Sequence, residues 1–110
     1  MSAKDAFFAA VPKPKTAAVG LGNHIVKIRE MNVGERLDFE ANAQGKPSGE
    51  VALLAVLASV IDEDGELIFT SDDIPRLKTL PPDYILPVLE AVLKINALTD
   101  DDVGDLAKNS

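Results

Sequence analysis

A chain of 110 residues has room for one hydrophobic core, and its lack of cysteine excludes disulfides and thiolate metal sites. Apolar residues make up 46% and charged residues 26% of the chain, a balance typical of globular domains and not of disordered segments. The net charge of −7 opposes binding to phosphate backbones, so we expect no nucleic-acid partner.

The first 15 residues predict an N-terminal arm that ends in a proline linker. Ser2 to Asp5 has the pattern of a short capping box, which predicts a helix through Ala10. In the following segment, Val11 to Lys15, proline stands at every second position and favours extended polyproline geometry.

Residues 16–30 predict a β-hairpin. Gly22 and Asn23 form a pair suited to a two-residue turn, and after them Val26 and Ile28 alternate with residues on the opposite face. A lone hairpin is marginally stable in water, so we expect this one to pack on helices.

Two helices are predicted after the hairpin. Asn32 to Glu35 is a capping-box signature for a helix that runs to about Gln44. Ser48 is predicted to cap a second helix that continues to Ile61. Because this second segment is apolar on all sides, we expect it to be the central and most buried element. It is far shorter than the roughly 20 residues of a membrane-spanning helix, so we expect no membrane partner.

The C-terminal half predicts a turn, a short extended segment and three more helices. Asp62 to Gly65 is the turn, and residues 67–69 are the extended segment. One helix is expected to begin between Thr70 and Asp73, the next covers residues 83–98, and Thr99 caps the last.

These elements predict a mainly α fold: a small helical domain of four to five helices with one N-terminal β-hairpin. We expect residues 16–110 to form this single domain, with the hairpin at 16–30, and residues 1–15 to form the arm and linker that precede it.

The acidic turn is the strongest candidate for a metal site. If Gly65 stands at position six of an EF-hand loop, Asp62 and Asp64 match positions three and five. Val60 and Ser71 then occupy the first and last positions, where charged oxygen ligands belong. We expect no metal site, and we keep an EF-hand-like calcium-responsive binding module as an alternative function.

Nothing in the sequence assembles a catalytic site. His24 is the only imidazole, and no serine lies in a nucleophile-elbow pattern. Gly20-Leu-Gly22 lacks the third glycine of a dinucleotide fingerprint, and no phosphate-loop motif is present. The run from Asp100 to Asp102 is typical of a solvated helix start rather than a magnesium site. We therefore expect no enzyme activity and no cofactor.

Phe7 and Phe8 are the candidate partner-binding residues. Neighbouring positions on a helix cannot share one face, and aromatic side chains ahead of a proline linker are hard to place in a core. They predict an exposed surface for a protein partner. The alternative is that the arm folds back onto the helices.

The order of features along the chain is more informative than any single motif. A helical arm and a hairpin come first, followed by a capped helix and a buried segment. An acidic turn with glycine, a Thr-Ser-Asp-Asp helix start and a last helix that begins with three aspartates come after them. The residues that carry this order are Val26–Met31, Asn32–Arg36, Val60–Gly65, Leu67–Asp73, Leu89–Asn96 and Leu98–Val103. The order of these features resembles that of the tail assembly chaperones of long-tailed bacteriophages.

This resemblance implies a protein that binds and solubilises the tape-measure protein in the host cytoplasm during phage tail morphogenesis. It also implies the tail tube protein and further copies of the chain as candidate partners. Many such chaperones are made in two forms by ribosomal frameshifting, and this chain would be the short form. A small helical adaptor protein without any phage connection is a second alternative.

Overall fold

The computed structural model describes residues 2–108, which form six α-helices and a three-stranded antiparallel sheet. Met1, Asn109 and Ser110, which the predicted arm and domain ranges include, lie outside the described residues. The helices are α1 Ala3–Ala9, α2 Val33–Ala43, α3 Ser48–Leu57, α4 Ile74–Leu77, α5 Pro82–Ile95 and α6 Asp100–Lys108. The strands are β1 Thr16–Leu21, β2 His24–Arg29 and β3 Val60–Ile61.

The prediction of a mainly α fold with four to five helices and one hairpin is wrong, because the chain is an α+β mix with a third strand. The helix expected to reach Ile61 ends at Leu57, and Val60 and Ile61 pair with β2 instead. Both are β-branched residues that fit a pleated strand, and their pairing satisfies backbone groups on one edge of β2.

The predicted hairpin is confirmed. β1 and β2 pair antiparallel across a two-residue turn, with Leu21 opposite His24 and Ala17 opposite Ile28. Gly22 in the turn has a φ of 61°, a conformation that glycine adopts without steric cost. The inner face of the hairpin packs against α5, so the sheet is stable where a lone hairpin is not.

The central position of α3 is confirmed. This helix contacts α2, α5 and α6, and its Val51, Ala55 and Val56 side chains are fully buried. The expected cap is wrong, because Ser48 is the first helical residue and Pro47 precedes it without a side-chain capping bond. The first turn of α3 therefore has no side-chain cap, and its Glu50 forms an ion pair with Lys78.

The predicted capping box at Asn32 and the predicted cap at Thr99 are confirmed, and they fix the starts of α2 and α6. The Asn32 side chain accepts from the Glu35 amide at 2.8 Å, and Glu35 accepts in return from the Asn32 amide at 3.0 Å. Thr99 and Asp102 exchange the same pair of bonds at 3.0 and 2.9 Å.

The helix expected between Thr70 and Asp73 begins as a 3₁₀ turn at Ser71–Asp73 and continues as the four-residue α4. Pro75 lies in the first turn of α4, where its missing N–H is tolerated. Pro87 lies inside α5, because that helix begins early, at Pro82.

The arm stands apart from the folded body. Every residue from 2 to 16 is exposed, and α1 buries none of its side chains. The Cα radius of gyration is 15.2 Å, against about 13 Å for a compact chain of this length. The projecting arm accounts for this extension.

Candidate partner-binding surfaces

The arm presents the two predicted partner-binding residues to solvent. Phe7 is 70% exposed and Phe8 is 66% exposed, so the arm does not fold back onto the helices. Their ring centroids lie 5.3 Å apart with the ring planes at 86°, an edge-to-face contact. Although the two positions diverge around the helix, the rings meet and form one apolar wedge on the arm.

A second apolar surface was not predicted: an open groove of about 450 Å³ in the folded body. It lies between the turn end of the hairpin, the segment after β3, and α4 with the first half of α5. Its volume falls within the range of sites that bind small ligands or side chains. Most of its lining is apolar and includes Leu21, Val26, Phe69, Leu77, Ile85 and Val88.

The groove is open because β3 has only two residues. β3 pairs with Lys27 and Ile28, so residues 24–26 of β2 have no strand partner on this side among residues 2–108. An unpaired strand edge beside an apolar groove is a recurring feature of sites that bind extended or helical segments of other proteins.

The rim of the groove is an exposed apolar patch formed by three side chains from different elements. Ile25 is 66% exposed on β2, Ile68 is 47% exposed after β3, and Tyr84 is 46% exposed at the start of α5. Large apolar side chains that cluster at the mouth of a concave surface mark an interaction site more reliably than scattered ones do.

The charged residues of the groove are mostly acidic. Asp62 and Glu63 line it from the turn after β3, whereas Lys27 is its one charged basic residue among those described. His24, the only imidazole of the chain, lies opposite Leu21 at the start of β2 and also lines the groove. The site therefore favours an apolar partner segment that also carries positive charge.

The acidic turn does not have the geometry that the EF-hand interpretation required. Asp62 Oδ1 accepts from the amides of Asp64 and Glu66 at 2.8 and 3.0 Å, and Gly65 has a φ of 85°. The turn joins β3 to an isolated bridge at Leu67 and is not enclosed by two helices. No three His, Cys, Asp or Glu residues in the described part of the chain are placed to hold a metal ion.

The acidic run at Asp100–Asp102 forms the first turn of α6, as the helix-start interpretation predicts. Hydrogen bonds from the backbone and side chain of Thr99 hold the pKa of Asp102 below its usual value. Its carboxylate is therefore occupied as a helix cap.

A buried polar network around Asn96 has no local signature in the sequence and was not predicted. The Asn96 side chain accepts from the Met31 amide at 2.8 Å and donates to Ser59 Oγ at 3.0 Å and to the Val92 carbonyl at 2.9 Å. Its backbone carbonyl accepts from Arg36 at 3.0 Å. This one residue joins the end of β2, the end of α3 and the end of α5, so its role is structural.

A two-bond ion pair adjoins this network. Arg29 donates to both carboxylate oxygens of Glu35, at 2.8 and 3.1 Å. The hydrogen bond from Arg29 lowers the pKa of Glu35, and the same contact raises the pKa of Arg29. The capping-box signature indicated the first role of Glu35, but only the fold brings Arg29 to it.

Comparisons of the chain with protein-family models, curated proteins and solved structures found no match. The resemblance to the tail assembly chaperones therefore stays a prediction. None of the helices within residues 2–108 is long and apolar enough to cross a membrane.

Proposed function

We propose that this protein is a tail assembly chaperone that binds the tape-measure protein in the host cytoplasm and keeps it soluble while the tail is built. The observation that carries the proposal is the groove with its exposed rim of Ile25, Ile68 and Tyr84. A chaperone for a long, aggregation-prone client needs such a surface, because it must cover apolar segments of the client reversibly.

Binding by the groove rests on apolar contact and mass action. The sequence contains no phosphate-loop motif through which ATP hydrolysis drives release. When a client segment inserts apolar side chains between Ile68 and Tyr84, the apolar surfaces of both proteins are removed from water. The client leaves when the growing tail tube offers a tighter site.

The charge of the protein supports the same function. Residues 30–110 hold 17 acidic and six basic residues, so the folded body is strongly acidic. Repulsion between bodies of like charge keeps chaperone–client complexes apart and soluble. Phage connection and function are tested together by the gene neighbourhood, where we expect a tail tube gene upstream and a tape-measure gene downstream.

The direct test is co-expression with the neighbouring tape-measure protein, followed by measurement of soluble client. We expect the wild-type chain to increase soluble client and Ile68→Asp to abolish the increase. Leu37→Asp is the matched control, because Leu37 is 61% exposed on α2 and lies outside the groove lining. If the wild-type chain leaves the client insoluble, the chaperone function is wrong. If both variants act like the wild type, the groove is not the client site.

A further inference from the structure

Two of the exposed apolar surfaces within residues 2–108 differ in shape, because one projects from the chain and the other is concave. The first is the wedge of Phe7 and Phe8 on the arm, continued by the exposed Val11 in the linker. The second is the groove with Ile68 and Tyr84 on its rim. Burying either surface against the other removes both from water, which is the main driving force for protein association.

The backbone at the base of the arm directs it away from the groove of its own chain. The ladder of the hairpin continues one residue beyond β1: the Glu30 amide donates to the Lys15 carbonyl at 3.0 Å, and the Lys15 amide donates to Glu30 Oε1 at 3.0 Å. The arm therefore leaves the sheet in line with β1, at the end opposite the Gly22-Asn23 turn. The groove includes the turn end of the hairpin, and its lining runs along β2 from His24 to Lys27.

The charges of the two surfaces are complementary. Within residues 2–15, the arm carries Lys4, Lys13 and Lys15 against a single acidic residue, Asp5. The groove presents Asp62 and Glu63 on its rim, beside one lysine. A basic segment with an apolar wedge matches an acidic rim around an apolar groove in both sign and chemistry.

We infer that the groove of each chain receives the arm of a second copy of this chain, with Phe7 and Phe8 entering between Ile68 and Tyr84. The second copy receives the first copy's arm in the same way, which gives a closed two-fold dimer by exchange of arms. The proline linker suits this role, because an extended, stiff segment spans the gap between the bodies with little loss of entropy.

The inference of arm exchange depends only on the structures of the arm and the groove, not on the proposed function. Its consequence for the client rests on the proposed function: the arm fills the client groove until client displaces it, so apolar surface is not left open in the free protein. The dimer is tested without any client, so a failure of arm exchange and a failure of chaperone function are distinguishable.

The first test is disulfide trapping, which is clean because the chain contains no cysteine. One sample of Phe8→Cys and one of Ile68→Cys are mixed in equal amounts and oxidised. We expect a disulfide-linked dimer that joins the two variants. A mixture of Phe8→Cys with Leu37→Cys is the control, because Leu37 is more exposed than Ile68 but lies on α2 outside the groove.

Two results of the trapping experiment overturn the inference. In the first, the mixture of Phe8→Cys with Ile68→Cys forms mixed dimers no faster than the control mixture does. In the second, a chain with both Phe8→Cys and Ile68→Cys closes a bond within itself at high dilution as fast as at high concentration. That result places the arm in the groove of its own chain.

The second test measures the dimer by sedimentation. We expect a concentration-dependent dimer in the wild type and a roughly tenfold or larger rise in its dissociation constant for Phe8→Ala, as for other anchoring aromatic side chains. Tyr84 is the only tyrosine and the chain has no tryptophan, so its emission reports on the groove and should change on dilution. A wild type that is monomeric at every concentration overturns the inference.

Discussion

Replacing Asn96 with alanine is the sharpest test of how this fold is held together. The side-chain amide of Asn96 is buried. It bonds to the backbone amide of Met31, the Ser59 hydroxyl and the Val92 carbonyl, three groups on three different segments. Asn96→Ala removes all three bonds at once and leaves the Met31 N–H without its partner in a buried site.

The expected loss of unfolding free energy follows from these bonds. A buried donor without a partner costs about 1–3 kcal/mol, and each lost neutral hydrogen bond contributes about 1 kcal/mol. The Val92 carbonyl keeps its helical partner, the backbone N–H of residue 96. We therefore expect a total loss of about 2–4 kcal/mol of unfolding free energy. That is a large part of the roughly 5–15 kcal/mol available to a small domain.

Urea denaturation of wild type and variants measures this loss, provided that the transitions remain two-state. Lys94→Ala is the matched control, because Lys94 is exposed on the same helix and we expect a change below about 0.5 kcal/mol. A double-mutant cycle with Ser59→Ala isolates their shared bond, with an expected coupling of about 0.5–1.5 kcal/mol. An Asn96→Ala variant within about 0.5 kcal/mol of the control refutes the reasoning.

Four further predictions follow from single features of the structure. Ala97 is exposed and has a φ of 53° after α5, so Ala97→Gly should raise stability by about 1 kcal/mol in thermal melts; unchanged melting contradicts the assigned backbone. The lowered pKa of Glu35 stabilises the fold above the pKa of the unfolded chain and ceases to do so as the pH falls through the folded value. As the pH falls, Glu35→Gln should therefore lose less stability than the wild type. If stability falls equally with pH in both proteins, the ion pair with Arg29 is not a source of the acid sensitivity. Val56 is fully buried, so Val56→Asp should abolish cooperative melting, whereas a cooperative melt places α3 at the surface. Phe8→Ala should leave the melting temperature of dilute protein unchanged, because the arm is exposed; a clear drop shows that it packs on its own body.

Local signals in the sequence predict the parts of the fold that depend on neighbouring residues. The Gly22-Asn23 turn, the capping box that begins at Asn32 and the cap at Thr99 are each decided within a few residues, and the structure confirms them. The third strand is different. Val60 and Ile61 continue an apolar run that periodicity alone assigns to a helix, and only pairing with β2, more than 30 residues earlier, makes them a strand.

The candidate site was predicted only in part for the same reason. The exposure of Phe7 and Phe8 followed from their place ahead of a proline linker, although their binding of a partner stays a prediction. The groove draws its lining from segments spread between Leu21 and Val88, so no local pattern indicates it. Asn96 is likewise an ordinary residue near a helix end until the fold brings Met31 and Ser59 to it.

Hydrogen exchange of the protein with and without the proposed client, the tape-measure protein, is the most direct test of the client groove. We predict that the client slows exchange in the backbone amides of residues 24–26 and 68–69, which border the groove, and leaves the exposed face of α2 around Leu37 unchanged. Binding that leaves the groove segments unprotected, or the absence of any protection by the client, contradicts the account.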